Sequence, residues 1–271
     1  YLLKFNPKLD FWENIKENVI KKGCYLYEEA EILLRDEFKE PRNYKLILKA
    51  ISYGYQTAGK ICGFTGLDKS MVSKYLDVLK EVKIIREFIP VTESRRFKGR
   101  LYKIIDPYFN FWFRFVYPNK IDLEAHQEKE VLERIKAEFK DYAGKMFEYL
   151  VEELIRKRFL LKNIIFTQLG KQWGKIPYAE KGKNTYEIDI IALNRQTKEI
   201  LFAECKWQDK VDAKKIFEEL KEKSKFVEWP SKEEKEKRKE YYAIFAKSFK
   251  EKIKEPNLRL FDLRDLERIF R

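Results

Sequence analysis

Histidine is almost absent: His126 is the single one among 271 residues. That excludes Ser-His-Asp and Cys-His triads and any His-ligated zinc centre. The three cysteines, Cys24, Cys62 and Cys205, are odd in number, far apart and free of any C-x-x-C pair. Neither a disulfide framework nor a zinc knuckle can be built from them. No stretch is apolar for the roughly 18 residues that a membrane helix needs, and no signal peptide opens the chain. The expectation is a cytoplasmic protein without a membrane partner. The phosphate-cradling pattern G-x-x-x-x-G-K-[ST] is missing as well, so no ATP site is expected within these residues.

What is present is charge. Lys and Arg number 58 against 45 Asp and Glu, a net +13, and charged residues make up 38% of the chain. Such an excess favours a polyanionic partner, DNA first. The Lys- and Glu-rich balance is that of a heat-adapted intracellular protein. With 44% hydrophobic and 15% aromatic residues the chain can build real cores, and its length predicts about two domains.

Apolar spacing predicts helices over residues 8–40, broken at Gly23 and bounded by Glu40-Pro41. From 43 to 103 the pattern changes. A helix over Asn43–Gly54 is followed by a short one from Thr57 to Cys62, a Gly63–Gly66 turn, and a third helix, Lys69–Val82, behind the cap Asp68. A strand over Ile84–Val91, a polar tip and a returning strand over Arg100–Ile105 complete the order of a winged helix-turn-helix. This segment alone carries +8. In such a fold the third helix enters the major groove and the hairpin tip meets phosphates or the minor groove. The expected DNA contacts are Lys69, Ser70, Ser73 and Lys74 on the helix and Arg95, Arg96, Lys98 and Arg100 on the wing. The aromatic run Asp106–Pro118 reads as a buried helix, because six of its seven rings, if exposed, would be an aggregation hazard. After it, long amphipathic helices over 124–160 give way to strands at Ile164–Phe166, 186–193, 200–205, Tyr241–Ala246 and Leu258–Leu263. Helices at Asp212–Trp229 and Arg264–Phe270 alternate with them, and Lys232–Lys239 reads as a solvated charge run. The fold class is α+β multidomain. A helical segment (1–40) and a winged helix-turn-helix (41–118) precede an α/β domain (119–271) with a mixed central sheet.

Charges interrupt two of these strands. A symmetric hairpin centred between Gln196 and Thr197 sets Asp189 opposite Glu204 and Glu187 opposite Lys206. Alternation would put all four on one face, with opposed Cβ atoms about 5 Å apart. Two opposed carboxylates call for a cation. Mg²⁺ or Mn²⁺, a hard ion content with one or two carboxylates plus waters and a phosphate, suits them. Lys206 beside them would steady the charge that grows when a phosphodiester is attacked. No histidine is needed.

Asp189…Glu204-Cys205-Lys206 resembles the D…(E/Q)-x-K core of the PD-(D/E)XK nuclease superfamily, which includes restriction endonucleases and archaeal Holliday-junction resolvases. Gly144-Lys145-Met146-Phe147-Glu148 is similar to the G-x-x-F-E form of its helix motif. Ile188 stands where some members have Pro. The resemblance implies a restriction-endonuclease-like fold and a Mg-dependent endonuclease-like hydrolase. In it Asp189, Glu204 and the Cys205 carbonyl hold the metal, Lys206 assists the attacking water, and Glu148 adds a carboxylate or orients that water. Glu187 is expected as a supporting partner of Lys206. The order of winged helix, aromatic stretch and nuclease-like domain resembles the C-terminal part of a family of archaeal AAA-type ATPases. The start at Tyr1-Leu2 reads like the middle of a longer protein, so ATP binding is implied only for a preceding module. The alternative is a DNA-binding or regulatory module that keeps a nuclease-like fold for docking without cleavage. Self-association into a homo-oligomer is left open.

Overall fold

The computed structural model describes residues 4–94, 96–180, 184–230 and 238–270. Their contacts separate into two units: Tyr1–Phe88 with Lys98–Phe139, and Ile89–Phe97 with Lys140–Arg271. Together the elements make a mixed α+β chain with a five-stranded mixed sheet.

In the first unit, α1 (Phe11–Ile15) opens at Asp10, whose carboxylate accepts the Glu13 N–H at 2.8 Å while Glu13 accepts the Asp10 N–H at 2.9 Å. This reciprocal cap satisfies two amides that have no partner inside the helix. The helix widens into a π turn over Lys16–Ile20, and Gly23, at φ +78°, leads into α2 (Tyr25–Glu37). Three helices follow: α3 (Arg42–Ser52), α4 (Ala58–Thr65), capped by Thr57, and α5 (Lys69–Glu81), capped by Asp68. The expected Gly63–Gly66 turn is mostly helix, because α4 runs on to Thr65. Gly66, at φ +71°, makes the left-handed exit. An antiparallel pair comes next, β1 (Ile85–Phe88) and β2 (Leu101–Ile104), shorter at both ends than expected. The aromatic run forms α6 (Pro107–Phe111) and a π turn over Trp112–Val116. Trp112 and Phe113 are fully buried. The Tyr108 hydroxyl donates to the Leu26 carbonyl at 2.6 Å and the Trp112 indole to that of Tyr27 at 2.9 Å. The rings therefore serve the core. A short α7 (Lys120–Glu124) follows.

The second unit takes α8 (Glu128–Arg156) from Lys140 onward. Its sheet has the order β3 (Gln168–Lys175), β4 (Thr185–Asn194), β5 (Glu199–Lys206), β7 (Lys239–Ala246) and β9 (Leu258–Phe261). β3, β4 and β5 pair antiparallel with one another in turn, and β7 and β9 continue the sheet in parallel from β5. A separate parallel pair, β6 (Val211–Asp212) and β8 (Phe249–Glu251), sits beside it. Between them lies α9 (Ala213–Ser224), and α10 (Leu263–Glu267) ends the set.

Two cores sandwich the sheet. Phe147, Val151, Leu154 and Ile155 of α8 and Leu266 of α10 pack on Ile190, Ala192, Leu201, Ala203 and Phe245. Phe217 and Leu220 of α9 pack on Ile188, Ile191, Ile200, Phe202 and Ile244 from the other side. Each such buried Ile, Leu or Phe contributes roughly 1.5–3 kcal/mol.

The strand expected at Ile164–Phe166 is a correction: those residues are irregular, and the strand is β3. Its sequence, QLGKQWGK, has two glycines, two lysines and little apolar content, which is tolerable only at a sheet edge. Gly174 is fixed by contact, since a Cβ there would lie 2.7 Å from the ring of Tyr186, its partner on β4. The charge run expected over Lys232–Lys239 falls mostly outside the described residues, though Lys239 begins β7.

Candidate functional site

The β4–β5 ladder has the expected register. Asn194 pairs with Glu199, and the pairing continues to Ile190 with Ala203. It ends one step before Asp189 and Glu204 would pair. On the other side of β4, Gly170 pairs with Ile191 and Gln172 with Ile188. Lys171 alone therefore opposes two residues, Asp189 and Ile190, which makes a β-bulge. A bulge re-aims side chains and breaks the alternation. Ile188 packs on the α9 side of the sheet and Ile190 on the α8 side, although they are two residues apart.

The four charges accordingly do not line up on one face as expected. Ala203 and Cys205 pack toward α8, so Glu204 between them is turned toward α9. Lys223, on the last turn of α9, forms an ion pair with it there. The two carboxyl groups meet where the strands part. Asp189 turns into that gap and accepts the Cys205 backbone N–H at 2.9 Å. Burial pushes the Asp189 carboxyl up to about 7, helped by the Glu204 charge and a hydrogen bond between the two side chains. Burial pushes Glu204 upward too. The hydrogen bond with Asp189 and the charges of Lys206 and Lys223 outweigh it and hold Glu204 below its usual value. Glu204 is only 3% exposed. Lys206 reaches it at 3.1 Å.

Glu148 lies on α8 and pairs with Lys171 at 3.0 Å. Its helix is seated by Phe147, whose ring lies 5.2 Å from Trp207, just past the E-x-K triplet. Glu187 does not partner Lys206 in the described contacts. It pairs with Lys171 at 2.5 Å, because the bulge leaves it beside β3. Lys171 also stands 3.7 Å from Asp189. Burial alone would lower its basicity, but the charges of Glu148, Asp189 and Glu187 raise it well above the usual lysine value. Lys171 and Lys223 were not anticipated. Lys171 lies on a strand that propensity does not reveal, and Lys223 is one of several lysines on a charged helix.

Among the described residues, no group of three or more His, Cys, Asp or Glu side chains is gathered to hold a metal. A hard divalent cation needs only one or two carboxylates, and the Asp189–Glu204 pair supplies these. The pair carries negative charge in a buried place, which a cation would relieve. Cys205 could add only its carbonyl, since burial pushes its thiol well above the usual value and keeps it protonated.

In the first unit Lys69, Ser70, Ser73 and Lys74 are all exposed along α5, and Ser70 donates to Asp68 at 2.6 Å. Lys98 is exposed, and Arg100 is half-buried and pairs with Glu87 at 3.0 Å. Lys69, Lys98, Arg100, Thr57 and Tyr102 line an open cavity of about 560 Å³. Arg95 lies outside the described residues. Arg96, exposed, belongs to the 89–97 segment that clusters with the second unit. The expected polar tip is Glu93–Gly99, behind a strand expected to reach Val91. The Val91 N–H donates to the Lys171 carbonyl at 3.1 Å, Thr92 donates to the Gln172 side chain, and Phe97 meets Trp173 edge-on.

Residues 112–216 match a family described as archaeal and bacterial proteins of unknown function, DUF234. That span takes in Glu148, Lys171, Asp189, Glu204 and Lys206 but not Lys223. The chain is 36% identical over 263 residues to the uncharacterized protein MJECL04 of Methanocaldococcus jannaschii. The alignment covers 95% of this chain and 56% of that relative, so the chain spans little more than half the relative's length. No solved structure matches the chain. No helix among the described residues is long and apolar enough to cross a membrane.

Proposed function

We propose that the chain binds DNA and hydrolyses its phosphodiester backbone with the help of Mg²⁺ or Mn²⁺. The observation that carries this reading is the contact between the Asp189 and Glu204 carboxyl groups where β4 and β5 part, with Lys206 on Glu204. Two buried acids so close, with their titration pushed apart by burial and by each other, mark a functional-site candidate. The five-stranded sheet between α8 and α9 agrees with a restriction-endonuclease-like domain. Asp189 and Glu204, with the Cys205 carbonyl, would hold the ion. A bound divalent cation would supply Lewis acidity and a more acidic water. Lys206, kept protonated by Glu204 and Asp189, would face the charge that grows on the phosphate as water adds to phosphorus and one P–O bond breaks. Glu148 would orient that water.

The three helices and hairpin of the first unit support the winged-helix reading. The exposed Lys69, Ser70, Ser73 and Lys74 would meet the groove and its phosphates, with Lys98 and Arg100 beside them. An ATP-binding module in a longer parent protein belongs to the same proposal. The test is incubation of the chain with linear, branched and single-stranded DNA plus Mg²⁺ or Mn²⁺, beside Asp189→Ala. Cleavage that disappears in the variant supports the reading, and no cleavage of any substrate by the unaltered chain refutes it.

One observation favours a second reading, a docking module without cleavage. Lys171, Lys206 and Lys223 already pair with the carboxylates. Under that reading DNA binding persists while cleavage is absent with every metal.

A further inference from the structure

The cluster contains a cation that the D…E-x-K pattern does not require. Lys171 comes from the edge strand β3, at the position that the bulge isolates. Its ammonium lies 3.0 Å from Glu148, 2.5 Å from Glu187 and 3.7 Å from Asp189. Its side chain is 11% exposed, whereas Glu187 is 58% exposed. The inner two of these carboxylates are groups assigned to the catalytic site, and the third lies toward solvent. Two contacts hold the strand here: the Val91 N–H donates to the Lys171 carbonyl at 3.1 Å, and the Thr92 hydroxyl donates to the neighbouring Gln172 side chain at 3.2 Å. The backbone of Lys171 is pinned while its long side chain keeps rotatable bonds.

We propose that Lys171 is a resident counter-cation that competes with the divalent ion for Asp189 and so sets the site's metal affinity. This inference rests on the nuclease reading of the cluster. Without metal, the ammonium offsets carboxylates that would otherwise repel one another in a buried place. When a divalent cation enters, the ammonium moves outward along Glu187, which can receive it because it is the exposed member of the three. Two cations cannot share Asp189 without mutual repulsion, so each weakens the other's hold. A neutral side chain at 171 removes that competition. Lys171 is thus a positioning residue, acting on the reaction through the ion and Glu148.

The test is Mn²⁺ binding to the intact chain without DNA, by isothermal titration. Lys171→Met should bind Mn²⁺ at least tenfold more tightly than the unaltered chain. Lys171→Arg, which keeps the charge, should stay within about threefold of it, and Asp189→Ala should abolish binding in either background. Lys171→Met affinity equal to or weaker than that of the unaltered chain overturns the inference. A second readout needs no variant. With an amine-reactive N-hydroxysuccinimide ester and peptide mapping, labelling of Lys171 should rise at least threefold on adding Mn²⁺, and unchanged labelling at saturating Mn²⁺ overturns the proposal. Metal-dependent DNA cleavage lost in Asp189→Ala, together with no affinity gain in Lys171→Met, would refute the counter-cation and leave the nuclease reading standing. No Mn²⁺ binding by either the unaltered chain or Lys171→Met refutes both.

Discussion

The Asp189 carboxylate accepts the Cys205 backbone N–H at 2.9 Å, just beyond the last backbone pair of β4 and β5. The side chain fills the place where the ladder would have continued. This contact explains how an acid on one strand and an acid on the other come together without sharing a face. It also ties Asp189 to the backbone of the E-x-K triplet itself.

Lys206 is half-buried on Glu204, at 3.1 Å. Lys206→Ala should lower DNA cleavage by about 10²-fold, the usual loss when one charge-stabilising donor is removed. The fold should survive, because the residue ends its strand. Cleavage rates beside circular dichroism check both statements. An activity within threefold of the unaltered chain would remove Lys206 from the chemistry.

Lys69 and Lys74 are exposed on α5. If both meet phosphates, the double Lys69→Ala, Lys74→Ala variant should flatten the dependence of log affinity on log salt by about 1.8. Fluorescence anisotropy across a salt series measures it. An unaltered slope in the double variant would assign the first unit to protein contacts.

Glu31 gives an acid-sensitive point remote from the site. Burial pushes its carboxyl upward, but hydrogen bonds from Lys120 and Lys45 and their charges hold it down at about 2. A depressed carboxylate stabilises the fold above its unfolded value, near 4.5, and that contribution is lost as pH falls toward 2. Glu31→Gln should therefore cost on the order of 2 kcal/mol at neutral pH and much less near pH 2. Urea unfolding at several pH values checks this.

Arg238 is buried and donates to the carbonyls of Ser224, Val227 and Trp229 at 2.6 to 2.9 Å, and to Glu240 at 2.7 Å. It satisfies the chain leaving α9 against the start of β7. Arg238→Ala strands these acceptors and should destabilise the protein by roughly 3 kcal/mol. Chemical unfolding measures the change.

Much of the second unit could be read from apolar spacing. Ile188–Leu193 and Ile200–Ala203 marked β4 and β5, and the tight Arg195–Lys198 turn gave their register. The break in alternation at Asp189 could not be read, because a bulge is set by the partner strand. That partner, β3, was itself hidden: an edge strand needs few apolar residues, and Gly170, Lys171, Gly174 and Lys175 supply none. With β3 went Lys171 and the true partner of Glu187. Lys223 was hidden for another reason, since only tertiary packing of α9 distinguishes it from the neighbouring Lys221 and Lys225. In the first unit the caps Thr57 and Asp68 marked helix starts closely, and in the second the contacts of Val91 and Phe97 with β3 were hidden along with that strand.

The central claim is that Asp189 and Glu204 form a metal-dependent phosphodiesterase site. The most direct measurement compares the unaltered chain with Asp189→Asn, which keeps the side chain's size, on branched and linear DNA with Mn²⁺, alongside DNA binding by anisotropy. The account predicts cleavage by the unaltered chain, a loss of at least 10²-fold in Asp189→Asn, and DNA affinity that is no weaker in the variant. Equal cleavage by the two proteins, or none by the unaltered chain while it binds DNA, would contradict it.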